Sequence, residues 1–170
     1  MSQSKAPDSI LKFMSENTSS FELDKSVNVY SKPFPRETEV RGEEYDISPA
    51  HVGPFKGAVD FLVDLGTPTL APLEGEIVDV VDSNDRYGST EEFAGYVNYV
   101  TIKHPNDELS QVLHLAKGSS KVKVGDMVRT GQELAVSGNS GWMTEPHLHF
   151  FVFKNLPGGA FKGLEIQFKK

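Results

Sequence analysis

The chain has 170 residues, of which 38% are hydrophobic and 24% charged, with a formal net charge of −7. That length suits one domain, and an acidic balance without a basic cluster argues against a nucleic-acid partner. There is no cysteine, which excludes disulfides, thiolate metal ligands and a thiol nucleophile, so a transition metal here needs histidine and carboxylate.

In chain order, the first thirteen residues mix Ser, Gln, Lys and Asp with few apolar positions. No apolar h-region follows a basic start, so no secretory signal is read, and no stretch reaches the ~20 apolar residues of a membrane span. The expectation is a cytoplasmic chain or one exported by a signal-independent route. Residues 1–45 are read as an N-terminal extension packed on a main domain at 46–170. Within the extension, 7–14 predicts a short helix with proline in its first turn, 27–30 a strand, and 32–35 a proline-bearing turn. From residue 46 the pattern is strand, turn, strand. Strands are predicted over 57–63, 69–71, 75–81, 96–103, 111–115 and 133–137, with a polar loop at 82–92 and a turn inside 124–128. The last strand starts at His147 and runs through Phe150-Phe151-Val152-Phe153. Fifteen glycines and ten prolines fit tight connections. The expected fold class is all-β, mainly antiparallel, a sandwich or barrel.

The chemistry concentrates in His147-Leu148-His149. On a strand, side chains at i and i+2 share a face, so the two imidazoles either share a metal or divide into ligand and proton carrier. Asp60 lies inside the apolar run Ala58-Val59-Asp60-Phe61-Leu62-Val63. A charge buried there needs a partner, for which a cation serves; the alternative is an exposed edge strand with Asp60 in water. Two histidines, one aspartate and a water make a suitable catalytic zinc set. The chain lacks His-Glu-x-x-His, so such a site must be built on strands and loops. His104, which precedes a turn, is read as a surface residue. Trp142 and Met143 either line a groove or pack in the core.

Several segments in order carry a resemblance. They are Gly57-Ala58-Val59-Asp60-Phe61, Gly66-Thr67-Pro68-Thr69-Leu70-Ala71 with Gly75-Glu76-Ile77-Val78, Asn98-Tyr99-Val100-Thr101-Ile102-Lys103-His104, His114-Leu115, Val124-Gly125-Asp126-Met127-Val128, and Ser137-Gly138-Asn139-Ser140-Gly141 leading to Pro146-His147-Leu148-His149-Phe150. The set resembles the lysostaphin/LytM-type zinc endopeptidases, which cleave peptide cross-links of bacterial cell walls. The resemblance implies a LytM-type β-sheet domain, akin to the duplicated hybrid motif, with zinc in a groove walled by loops. It implies Asp60 and His149 as zinc ligands and His114 and His147 as catalytic histidines. The family's first ligand is a histidine four residues before the aspartate, where this chain has Lys56. A branch with a longer spacing points instead to His51, nine residues before Asp60, with Gly53 and Pro54 supplying the turn. The implied function is zinc-dependent hydrolysis of peptide bonds in peptidoglycan cross-links or stem peptides, at the cell envelope, with two histidines assisting a zinc-bound water. The alternatives are a catalytically inactive LytM-like binding or regulatory domain and, more remotely, a phosphoryl-transfer or carrier domain on a similar β architecture.

Overall fold

The computed structural model describes residues 23–45 and 51–170; the helix expected at 7–14 lies outside them. The strands are β1 (Lys25–Tyr30), β2 (Glu43–Glu44), β3 (Val59–Phe61), β4 (Pro68–Leu70), β5 (Gly75–Val81), β6 (Tyr87–Gly88), β7 (Tyr99–Lys103), β8 (Glu108–Leu113), β9 (Met127–Val128), β10 (Glu133–Val136), β11 (Gly141–Trp142), β12 (Leu148–Asn155), β13 (Phe161–Gly163) and β14 (Glu165–Phe168). Short 3-10 turns complete the regular structure, and the described residues contain no α-helix. No helix among them is long and apolar enough to cross a membrane.

The main sheet is antiparallel throughout and runs β2-β3-β12-β8-β7-β5-β9. β12 is its spine. Eight residues give it room for β8 along one edge and for two short partners on the other. β3 takes Leu148 to Phe150 and β13 takes Phe153 to Asn155. Directly opposed residues share a face, so the register sorts the side chains. Phe150, Val112, Val100 and Val80 form one apolar row across four strands, and Val152, Ser110, Ile102 and Ile77 form the next. That face is the core. β4 pairs with β10 outside the main sheet, and their Leu134 and Ala135 join the same core. Phe34 meets Phe61 edge to face at 4.9 Å, and Phe168 lies 6.1 Å from Phe150. The opposite face carries His149, Leu113, Tyr99 and Val81 in one row. Beside it, Phe151 and Phe153 meet Phe161 from the neighbouring strand.

The N-terminal strand is tied down from a distance. β1 runs parallel to β14, and the fully buried Glu108 accepts hydrogen bonds from the Val27 and Asn28 N–H groups and from the Tyr30 hydroxyl. This packing corrects one expectation. His104 is buried, not on the surface: its Nδ1 bonds the Glu74 carbonyl and its Nε2 the Ser110 hydroxyl, both at 2.7 Å. β8 begins at Glu108, earlier than the alternation suggested, so His104 sits at the base of a tight hairpin. The Tyr30 ring then covers it at 5.3 Å.

Candidate metal centre

Asp60 and His149 are opposed partners on β3 and β12. Val59 and Phe61 turn into the core, so alternation sends Asp60 to the other face beside His149. His51 reaches the same point from a loop. Gly53 takes φ +58 and opens a 3-10 turn over Gly53–Phe55, after which Gly57 takes φ +97. These two left-handed glycines fold the nine-residue interval back on itself.

The three side chains converge. His149 Nδ1 lies 2.8 Å from Asp60 Oδ1, His51 Nε2 lies 3.2 Å from the same oxygen, and the two nitrogens are 3.3 Å apart. All three residues are buried. His51 Nδ1 is 3.3 Å from the Tyr45 carbonyl, so its N–H donates there and its Nε2 lone pair faces the cluster. Burial alone would raise the Asp60 pKa, but the His149 and His51 imidazoles against its carboxylate, with His147 nearby, hold the carboxyl well below the usual range. Burial lowers the His149 imidazole, partly offset by Asp60.

His114 and His147 stand beside this cluster with ring centroids 4.4 Å apart. His114 Nδ1–H donates to the Ser140 carbonyl at 2.7 Å, and His147 Nδ1–H donates to the Glu145 carbonyl at 2.8 Å. Both rings therefore keep Nε2 as the free acceptor. His147 Nε2 is 3.7 Å from Asp60 Oδ1. Burial, then the His147 and His149 imidazoles, push the His114 pKa down to about 3.

The donor set suits a dication. Ligand bonds of about 2.0–2.1 Å in a tetrahedron put donor atoms about 3.3 Å apart, and the three observed spacings run from 2.8 to 3.3 Å. Two imidazole nitrogens and one carboxylate oxygen are ligands of borderline softness, and buried lone pairs facing one another need a proton or a cation between them. The atoms all lie within 4.8 Å of each other.

All five predicted site residues thus meet on one face. Lys56 is not among them; its carbonyl packs against Gly163. Sequence reasoning missed the groups that hold the cluster's neighbours, namely the Ser140 and Glu145 carbonyls and the Arg41 guanidinium. Arg41 pairs with Asp64 and bonds the Pro146 carbonyl at 3.4 Å. Main-chain acceptors leave no mark in residue type, and Arg41 lies 105 positions from Pro146.

Residues 54–158 match the model of Peptidase family M23. The chain is 37% identical over 112 residues to the peptidoglycan DD-endopeptidase ShyA of Vibrio cholerae, covering 65% of this chain and 23% of that protein. It is 38% identical over 92 residues to lysostaphin of Staphylococcus simulans, covering 54% of this chain and 17% of that one. The chain spans less than a quarter of either relative's length. Among solved structures, a variant of the catalytic domain of the prophage-encoded protein EnpA from Enterococcus faecalis aligns with TM-score 0.55 and 27% identity, covering 77% of this chain and 92% of that domain. A zinc-containing peptidase from Vibrio cholerae aligns with TM-score 0.53 and 27% identity, covering 74% and 36% of the two chains. With well over half of its residues matched to the family's model, and with a β-sheet domain of the same kind, the chain belongs to Peptidase family M23.

Proposed function

We propose that this chain is a zinc-dependent endopeptidase that hydrolyses peptide bonds in peptidoglycan, acting at the cell envelope. The observation that carries the reading is the convergence of His51, Asp60 and His149 within 4.8 Å, with the His114 and His147 rings alongside. His51 Nε2, Asp60 Oδ1 and His149 Nδ1 would hold the ion. The names of the relatives support the substrate class, since one is a peptidoglycan endopeptidase and another a glycyl-glycine endopeptidase. That one aligned structure is a zinc-containing peptidase supports the choice of metal.

When bound, the ion supplies Lewis-acid polarisation of the scissile carbonyl and acidifies a water. The protein's own groups then handle the protons. The His114 ring is neutral and its Nδ1–H is committed to the Ser140 carbonyl, which leaves the Nε2 lone pair to accept a proton from the attacking water. His147 is slightly more open, with a side chain 10% exposed. Its Nε2 carries a proton to the leaving amine and exchanges it with solvent. The half-buried row of Leu113, Tyr99 and Val81 continues the site face away from His149 and serves as a groove floor. The wall beside it is the loop after β5. It pairs through Tyr87 and Gly88 with Gly141 and Trp142, and the Trp142 indole N–H donates to the Ser89 carbonyl at 3.1 Å.

Residues 1–45 are part of the same reading as an extension of the peptidase domain; comparing hydrolysis with and without residues 1–22, which leaves β1 and the core residues Tyr30 and Phe34 in place, tests whether the extension restricts the groove. The decisive experiment is incubation of the purified protein with peptidoglycan, with and without a chelator, followed by mass spectrometry of the fragments. New amino termini that vanish with chelator and return with zinc support the reading. An intact wall with zinc-loaded protein refutes it.

A further inference from the structure

Asn98 and Ser140 have no part in the chemistry above, yet both are fully buried against the His114 support. The Ser140 carbonyl accepts the His114 Nδ1–H at 2.7 Å. Its hydroxyl donates to the Leu115 carbonyl at 2.9 Å and accepts the Asn98 N–H at 3.0 Å. The Asn98 side chain spans two more segments. Its Nδ2 donates to the Asn84 carbonyl at 2.8 Å and the Leu115 carbonyl at 3.0 Å, while its Oδ1 accepts the Asn84 N–H at 3.0 Å. His114 itself sits at φ +66, a left-handed conformation that a histidine keeps only where its surroundings impose it. The knot therefore joins the groove wall, the hairpin end and the Ser137–Gly141 turn at one ring.

We propose that Asn98 and Ser140 are positioning residues that fix His114 in its Nδ1–H tautomer and so keep Nε2 as the proton acceptor. One peptide unit is decisive. The carbonyl that holds His114 belongs to the peptide between Ser140 and Gly141. Gly141 has φ +82 and no side chain, so that peptide has little intrinsic resistance to rotation. What fixes it is the Ser140 hydroxyl, held between Leu115 and Asn98, together with the Gly141 N–H bond to the Arg86 carbonyl at 2.9 Å. If the peptide turned over, an N–H would face Nδ1, which would favour the Nε2–H tautomer and remove the acceptor. The catalytic consequence rests on the peptidase reading above; the tautomer does not.

The test is ring nitrogen NMR of the zinc-loaded protein, combined with metal analysis and steady-state kinetics. In the wild type, His114 carries its proton on Nδ1. In Ser140→Ala the Nε2–H form becomes populated and zinc content is unchanged. The same variant loses kcat about 10- to 100-fold, with KM within about twofold of wild type. Asn98→Ala keeps its main-chain N–H on the Ser140 hydroxyl but removes the side-chain bond to the Leu115 carbonyl that the hydroxyl also uses, and moves the tautomer in the same direction to a smaller extent. A Ser140→Ala protein that remains wholly Nδ1–H with unchanged kcat overturns the proposal. Should both variants fail to fold, the wild-type spectrum still decides, because an Nε2–H ring there contradicts the proposal outright. A wild type that is Nδ1–H but cleaves no wall peptide removes the peptidase reading and leaves the positioning role standing.

Discussion

At Asp60 a single alternation does two jobs. Val59 and Phe61 are fully buried in the core, and the residue between them faces two imidazoles, which is where the carboxylate is useful. Asp60→Asn keeps the shape and removes the charge, so we expect purified Asp60→Asn and His149→Ala to lose bound zinc, read by metal analysis. His114→Ala should keep zinc and lose turnover about 100-fold or more, the usual scale for a general base. Retention of both zinc and turnover in all three variants would sink the ligand assignment. Whereas His114 was named only through the family resemblance, Asp60, His147 and His149 stood out in the sequence for local reasons, a charge inside an apolar run and two histidines at strand spacing. His51 was not legible that way. Its place depends on two positive-φ glycines, and only a family resemblance pointed to it. His104 was misread because its partners, Tyr30 and Glu74, are far away in sequence.

Among the elements, β5 and β12 were read from sequence because their hydrophobic, β-branched runs are long. β3 came out shorter than predicted, at Val59–Phe61, and β8 longer, starting at Glu108. Strand ends follow pairing partners, and no local pattern announces those. β13 and β14 went unread because β14 depends on the distant β1, and β13 is only three residues long, closing a hairpin on the end of β12. Glu108 is the clearest case of such long-range dependence. Its carboxylate takes two main-chain N–H groups of β1 and the Tyr30 hydroxyl. Burial, then the Glu108 charge acting against the Asn28 bond, leaves the Tyr30 phenol above its ordinary range. Glu108→Ala leaves these donors facing a cavity and should cost about 2–4 kcal/mol in urea denaturation. A loss below about 0.5 kcal/mol, the scale of an ordinary surface change, would show that β1 is held by its pairing with β14 instead.

For the whole molecule, the burial of uncharged imidazoles makes stability depend on pH in a definite direction. Burial pushes His114, His104 and His149 down, with His114 reaching about 3. In the unfolded chain an imidazole titrates near 6.5. Below about pH 6.5 the unfolded state therefore binds protons that the metal-free folded state refuses, and stability falls as pH falls. For His114 this window runs from about 6.5 down to about 3. Asp60 acts lower: its carboxyl is held down in the fold, so its contribution is intact above about 3.9 and is lost beneath that. Each imidazole contributes a slope of up to about 1.4 kcal/mol per pH unit within its window. His104 separates this effect from the metal, since its ring bonds Glu74 and Ser110 and lies outside the His51, Asp60 and His149 group. In chelated protein, urea denaturation at about pH 7.5 and about pH 5 should show the loss, and His104→Gln should flatten it by up to one imidazole's share. Zinc should add stability at the upper pH and lose that increment in acid, because protons compete for the same nitrogens. A chelated wild type equally stable at both pH values would mean that these rings accept protons inside the fold.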